Sequence, residues 1–319
     1  MLRLDGIRRS FGDRLVLDDV GFAVERGRLT GFVGGNGAGK TTTMRIILGV
    51  LSADGGTVTL DGASLSDEAR RHFGYMPEER GLYPKMKAAE QLAYLARLHG
   101  YDRRTADARA RDLLERLDLG PRADDALEDL SLGNQQRVQI AAALVHDPEV
   151  LILDEPFSGL DPLAVDTVVS VLAETAARGV PVLFSSHQLD VVERLCDDVV
   201  VIAGGRIAAA GPRDELRESF AEPRYEIDSA GDLGWLRTEP GVAVVEFDGG
   251  WARFDADEQA AQRVLRTALD QAPVRAFTPV RPTLAEIFRD IVRDEAEPEA
   301  GPDAADATPT LRTESEPAR

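Results

Sequence analysis

One cysteine, Cys196, is all that 319 residues contain, which excludes an internal disulfide and fits a reducing compartment. Its neighbours Val191, Val192 and Leu195 mark it as part of a packed helix rather than a reactive thiol. The four histidines, His72, His99, His146 and His187, lack metal-ligand spacing. No apolar run reaches the length needed to cross a bilayer, and Met1-Leu2-Arg3-Leu4-Asp5 does not resemble a signal peptide, so the chain is expected to be soluble by itself. Lysine is scarce too: only Lys40, Lys85 and Lys87 occur, and almost every other cation is arginine. The formal net charge of -19 argues against a nucleic-acid partner, because such a surface repels a polyanion; much of the acidic excess lies near the C-terminus. What is present suffices for a folded protein, since 43% hydrophobic residues can fill one large domain and an appendage.

One of the three lysines completes a phosphate-loop pattern, Gly34-Gly35-Asn36-Gly37-Ala38-Gly39-Lys40-Thr41. The apolar run Leu29 to Val33 before it predicts a strand. Lys40 to Val50 after it carries Met44, Ile46, Ile47 and Leu48 as a buried helix would. A chance glycine-rich turn would lack that strand-loop-helix order. The glycines allow backbone amides to turn inward around phosphate oxygens, and the helix directs its positive end at the same anion. Lys40 supplies a point charge to the β and γ phosphates, Thr41 a hydroxyl for a bridging magnesium ion, and Thr42 follows in the same turn. The loop therefore predicts binding of a nucleoside triphosphate.

Around this loop the chain reads as a sequence of distinct segments. Residues 1 to 28 alternate short apolar stretches with turn residues, as in an antiparallel sheet. Short strands are expected at Val58–Leu60 and Phe73–Met76, and a helical lobe at about 83–130, where Leu92, Leu95 and Leu98 and then Leu113, Leu114 and Leu117 keep helical spacing. Apolar strands return at Val150–Leu153 and Val180–Phe184, separated by a helix that Asp161-Pro162 opens and Gly179 closes. The alternation predicts an α/β fold whose parallel-sheet core carries an N-terminal antiparallel β-subdomain and an inserted α-helical lobe, spanning residues 1–221. Beyond it, a hairpin turning at Asp248-Gly249-Gly250, a helix with Ala260, Ala261, Val264, Leu265, Ala268 and Leu269 on one face, and a capping box Thr283-Leu284-Ala285-Glu286 predict a small α+β domain over 222–293. Residues 294–319 have almost no large apolar side chain and are expected to form a disordered acidic tail.

Further elements narrow the chemistry. Val150-Leu151-Ile152-Leu153-Asp154-Glu155 is a buried strand ending in two carboxylates, and a strand end is where an open parallel sheet presents ligands. Asp154 suits the magnesium shell, and Glu155 suits acceptance of a proton from an attacking water. In Leu130-Ser131-Leu132-Gly133-Asn134-Gln135-Gln136-Arg137, Ser131 is a natural N-cap, giving a second positive helix end with a hydroxyl and a glycine amide. One nucleotide already has its helix end at Lys40, so the second makes best sense over the nucleotide of another subunit. Ser158-Gly159-Leu160-Asp161 and Ser185-Ser186-His187 follow.

In this order the elements resemble the ATPase subunit of an ATP-binding cassette transporter, over about Met1 to Leu216. The resemblance implies an ATPase using ATP and Mg2+, with an aromatic at Phe11 stacked on adenine and His187 contacting the γ phosphate. It further implies Ser131 and Gly133 acting in trans across a head-to-tail homodimer whose halves Asp161 helps join. Core packing is the competing reading for Phe11 and for His187. Two segments depart from the family pattern. Leu132 and Asn134 replace a glycine and a glutamine of the usual Leu-Ser-Gly-Gly-Gln, and Glu78 stands where a magnesium-sensing glutamine is common. Glu78 still offers an oxygen to the metal, which predicts altered coupling rather than lost binding. These variants, with the appended domain ending in Leu284-Ala285-Glu286-Ile287-Phe288, are similar to a bacterial exporter branch that includes drug-resistance and sodium-efflux ATPases. The branch implies a separately encoded integral membrane permease as partner, and a peripheral place on the cytoplasmic face of the bacterial membrane. The lobe from Tyr83 to Leu98 is the expected docking surface, internal packing of its apolar face being the other reading. A soluble cassette ATPase of translation or chromosome maintenance is the alternative function. One phosphate loop, no room for a coiled coil between Thr41 and Leu130, and the acidic charge weigh against it.

Overall fold

The computed structural model describes residues 1–79, 81–220 and 223–296. Its strands are β1 (Leu2–Phe11), β2 (Arg14–Val24), β3 (Leu29–Val33), β4 (Gly55–Leu60), β5 (Ala63–Ser64), β6 (Phe73–Met76) and β7 (Val150–Leu153). These are followed by β8 (Val182–Ser186), β9 (Asp198–Ala203), β10 (Arg206–Pro212), β11 (Arg224–Ser229), β12 (Val242–Asp248), β13 (Trp251–Ala256) and β14 (Val274–Val280). They form a six-stranded sheet in the order β10-β9-β3-β8-β7-β6, a four-stranded sheet β2-β1-β4-β5, and a second four-stranded sheet β12-β13-β11-β14. In the largest sheet β9, β3, β8, β7 and β6 run parallel, and only β10 is antiparallel. The other two sheets are antiparallel throughout.

The central strands β3, β7 and β8 are buried at every position, because both faces of the sheet are covered. Alternation along them divides the core. Phe32, Ile152 and Leu183 point toward the antiparallel sheet and pack with Leu4, Ile7, Val20 and the helix Lys40–Ile47. Leu151, Leu153, Val182 and Phe184 point the other way, toward the helix Pro162–Ala177 and the helical lobe. The phosphate-loop helix and the carboxylate-bearing end of β7 are thereby fixed on one rigid sheet.

Within the expected lobe lie the helices Ala88–Leu98 and Arg103–Arg116, and the helix Leu132–Leu144 that follows packs between them and the sheet at β6. Leu92 and Ala96 are buried, whereas Tyr83, Tyr94 and Leu98 are exposed. The apolar residues of this segment thus divide, one set packing inward and another facing solvent. Local signals behave as their chemistry requires: Asp161 and Asp257 cap their helices by accepting from Ala164 N–H at 2.8 Å and Ala260 N–H at 2.7 Å.

Beyond residue 222 the hairpin closes with Asp248 opposite Trp251, and Gly249 takes φ 55, a left-handed value suited to glycine. The helix Glu258–Gln271 packs Ala260, Ala261 and Val264 on Ile227, Ala252 and Phe254. The last helix, Leu284–Ala296, opens with a reciprocal capping box: Thr283 N–H donates to Glu286 Oε2 at 2.8 Å and Glu286 N–H to Thr283 Oγ1 at 3.2 Å. This helix, part of the expected C-terminal unit, buries Leu284, Ile287 and Ile291 in the cluster of the parallel sheet. Its apolar stripe finds more to cover beside β9 and the helix Leu189–Leu195 than on the small sheet, which already carries its own helix. The helix is described to Ala296, past the expected boundary at Arg293, and residues 297–319 of the expected acidic tail lie outside the described residues.

Candidate active site

The phosphate loop joins β3 to the helix Lys40–Ile47 with Gly37 at φ 77 and Gly39 at φ 112, conformations that side chains strain to adopt. Gly34 is required for a different reason: a Cβ there would sit 2.4 Å from the Ile202 carbonyl oxygen of β9. Gly39 is the N-cap residue and contributes no side-chain cap, so the amides of the first turn are left to another acceptor. Lys40 Nζ donates to the carbonyls of Gly34 at 2.7 Å and Gly35 at 3.3 Å, which holds the ammonium across the loop. Such a cradle of amides, helix end and ammonium fits a polyphosphate.

At the end of β7, Asp154 is 2% exposed. Its Oδ1 accepts from Ser185 Oγ at 2.5 Å and its Oδ2 from Thr41 Oγ1 at 3.0 Å. Ser185 Oγ also accepts from Glu155 N–H at 2.9 Å, so one buried hydroxyl ties together both carboxylate residues. Glu155 stands at φ 53, in the left-handed region that a non-glycine residue occupies only where its surroundings hold it. Gln136 Nε2 supplies part of that hold by donating to the carbonyls of Glu155 at 3.0 Å and Pro156 at 3.2 Å. Glu155 Oε2 lies 2.8 Å from His187 Nδ1, and the His187 ring is exposed rather than packed in the core. Beside them, burial and then the Asp154 charge raise the Tyr75 phenol above its ordinary value.

A cleft of about 660 Å3 gathers Phe11, Asn36, Gly37, Gly39, Lys40, Thr41, Thr42, Glu78, Asp154, Glu155 and His187, together with Arg14 and Val16. Phe11 is 48% exposed, so it is not a core phenylalanine. Among the described residues no three His, Cys, Asp or Glu side chains converge as a metal cage. The hydroxyl of Thr41 on the Asp154 carboxylate is nevertheless a pair of hard oxygen donors, and magnesium characteristically takes few protein ligands and completes its shell with phosphate and water.

Ser131, Gly133 and Asp161 lie outside this cleft. Ser131 caps the helix Leu132–Leu144, accepting from Asn134 N–H at 3.3 Å. Gly133 abuts the loop before Asp161: a Cβ there would meet the Gly159 carbonyl at 3.1 Å. Leu132 turns its side chain outward and is 61% exposed. Several residues absent from the sequence-derived set belong here. Ser185 was visible in Ser-Ser-His, but its bond to Asp154 spans 31 positions. Gln139 Nε2 donates to the carbonyls of Pro77 at 2.7 Å and Glu79 at 3.2 Å, linking the segment around Glu78 to the Ser131-capped helix. Arg14 and Val16 alternate on the strand that pairs with Phe11, and that alternation was a usable signal.

A family model described as ABC transporter matches residues 17–158, and one described as ATP-binding protein DrrA1-3-like, C-terminal domain, matches residues 211–292. The chain is similar to the uncharacterized ABC transporter ATP-binding protein YhaQ of Bacillus subtilis, 37% identical over 289 residues that cover 90% of this chain and 97% of the relative. It is also similar to Nod factor export ATP-binding protein I of Ralstonia nicotianae, 37% identical over 219 residues, 68% of each chain. A solved structure described as the ATP binding subunit of an ABC transporter superimposes with a TM-score of 0.64 at 34% identity, covering 69% of this chain and 93% of that one.

Proposed function

The chain belongs to the ABC transporter family as an ATP-binding, ATP-hydrolysing subunit, and from that premise we propose that two copies close head to tail around Mg-ATP to drive export through a separately encoded membrane permease. In this reading adenine stacks on Phe11, and the phosphates lie in the loop Gly34 to Gly39 against Lys40, Thr41 and Thr42. Thr41, Asp154 and Glu78 offer oxygens to Mg2+, which when bound neutralises charge on the β and γ phosphates. Glu155 takes the proton of the attacking water, its carboxylate aimed by His187. His187 also contacts the γ phosphate, and Asp161 helps join the two halves.

The observation that carries the pairing is the placement of Ser131 and Gly133 on an exposed helix start outside their own chain's cleft. A hydroxyl and a glycine amide at a positive helix end serve phosphate only if another copy brings its phosphate there. Export follows the relative named for Nod factor export. No helix among the described residues is long and apolar enough to cross a membrane. Attachment to the cytoplasmic face is therefore assigned to the permease, with Tyr83, Tyr94 and Leu98 as the exposed apolar docking residues.

The test is complementation. Lys40→Ala and Ser131→Arg are each expected to abolish ATP hydrolysis, whereas an equimolar mixture recovers part of it, because mixed pairs hold one intact composite site. A mixture no more active than its separate components contradicts the pairing.

A further inference from the structure

The hairpin that carries Phe11 also carries an arginine with no partner among the described residues. β1 and β2 are joined by the two-residue turn Gly12-Asp13, and Phe11 pairs directly with Arg14, so both side chains leave the same face of the ribbon. That face lines the cleft. Arg14 Nη2 reaches to 4.0 Å from where a Cβ of Gly37 would stand, which puts the guanidinium at contact distance over the phosphate loop.

Neighbouring arginines are engaged elsewhere. Arg9 binds Asp54 at 2.7 Å, Arg8 lies 3.6 Å from Asp18, and Arg206 also pairs with Asp18. Arg14 makes no ion pair or hydrogen bond among the described residues, and even the adjacent Asp13 does not hold it. Among the described residues, Arg14 and Lys40 are the only Lys or Arg side chains lining the cleft, which also contains three carboxylates, Glu78, Asp154 and Glu155. A Mg-triphosphate keeps a net negative charge, and Lys40 answers only part of it. Among the described residues of the cleft, the unpaired Arg14 guanidinium over the loop is the further cation placed to answer part of the rest, and its planar fork suits phosphate oxygens.

We infer that Arg14 is a second nucleotide-binding cation, closing on the phosphates from the hairpin side opposite Lys40 while Phe11 takes the base. The inference rests on the reading of the cleft as the ATP site. It predicts that Arg14→Ala weakens Mg-ADP binding and raises KM for ATP about tenfold at low salt. The loss shrinks as salt rises. kcat should stay within about twofold, since the group binds ground state and transition state alike. Arg14→Lys, keeping the charge, should restore most of the affinity. The thermal midpoint should not move, because the side chain supports nothing in the fold.

The experiment titrates Mg-ADP into the full chain and its Arg14→Ala, Arg14→Lys and Lys40→Ala variants, at low and high salt, alongside steady-state ATPase. If Arg14→Ala binds Mg-ADP within twofold of the parent while Lys40→Ala is weakened, the inference is overturned and the ATP-site reading stands. If the parent itself binds no Mg-ADP, both fall.

Discussion

Replacing Ser185 by alanine removes one hydroxyl and should loosen both carboxylate residues of the site. Ser185 is fully buried, donates to the Asp154 carboxylate at 2.5 Å and accepts from Glu155 N–H at 2.9 Å. A hydrogen bond to a charged group contributes about 1.5–3 kcal/mol, and a buried N–H left without an acceptor costs about 1–3 kcal/mol. Asp154 keeps Thr41, and water can reach the cleft side of Glu155, so a loss of about 3 kcal/mol is expected rather than the full sum. Unfolding should be followed in urea by far-ultraviolet circular dichroism, because both tryptophans, Trp235 and Trp251, lie in the C-terminal unit and report on the wrong sheet. Hydrolysis should fall as well, by about 10- to 100-fold, since the left-handed Glu155 loses part of its hold. An Ser185→Ala chain within about 0.5 kcal/mol of the parent and equally active would refute the argument that this hydroxyl organises the site.

Two other perturbations probe different parts of the chain. His146 stacks on His99 at 3.8 Å, and burial together with that neighbour lowers its pKa to about 4; burial lowers His99 too. Because the unfolded imidazoles take up protons first, stability should decline as pH falls from about 6.5 toward 4, by about 2 kcal/mol. The lowered carboxylates Asp102 and Glu286 act in a separate window, losing their contribution only as pH falls through the ordinary carboxylate range and below. Thermal midpoints of a His146→Phe chain should lose most of the decline above pH 5, and an unchanged slope would contradict the assignment. Glu78→Gln should raise the Mg2+ concentration for half-maximal hydrolysis about two- to fivefold and alter stimulation by the permease; unchanged basal and stimulated rates would show that Glu78 serves neither.

Much of the site was legible because its chemistry is written in contiguous residues. The phosphate loop, the strand ending in Asp154 and Glu155, and the caps at Ser131, Asp161 and Thr283 each need only a few neighbours in sequence, and each forms in the structure. What escaped depends on separations that no local pattern encodes. Ser185 meets Asp154, and Gln139 meets the carbonyls beside Glu78, across 31 and 62 positions. His72, His99 and His146 have no ligand spacing, yet they line one cavity at the joint between lobe and core. The last helix shows the same limit differently. Its capping box marked where it starts, but a cap names no packing partner, and Leu284, Ile287 and Ile291 went to the cassette core.

The central claim is that ATP joins two copies of this chain. The direct measurement is the molar mass of the Glu155→Gln chain by light scattering, with and without saturating Mg-ATP, in the free protein and bound to its permease. The account predicts a doubling of the 34.6 kDa mass with nucleotide, and return to the single mass when Ser131→Arg is added. A chain that stays single under saturating Mg-ATP, and that binds its permease without pairing, would contradict it.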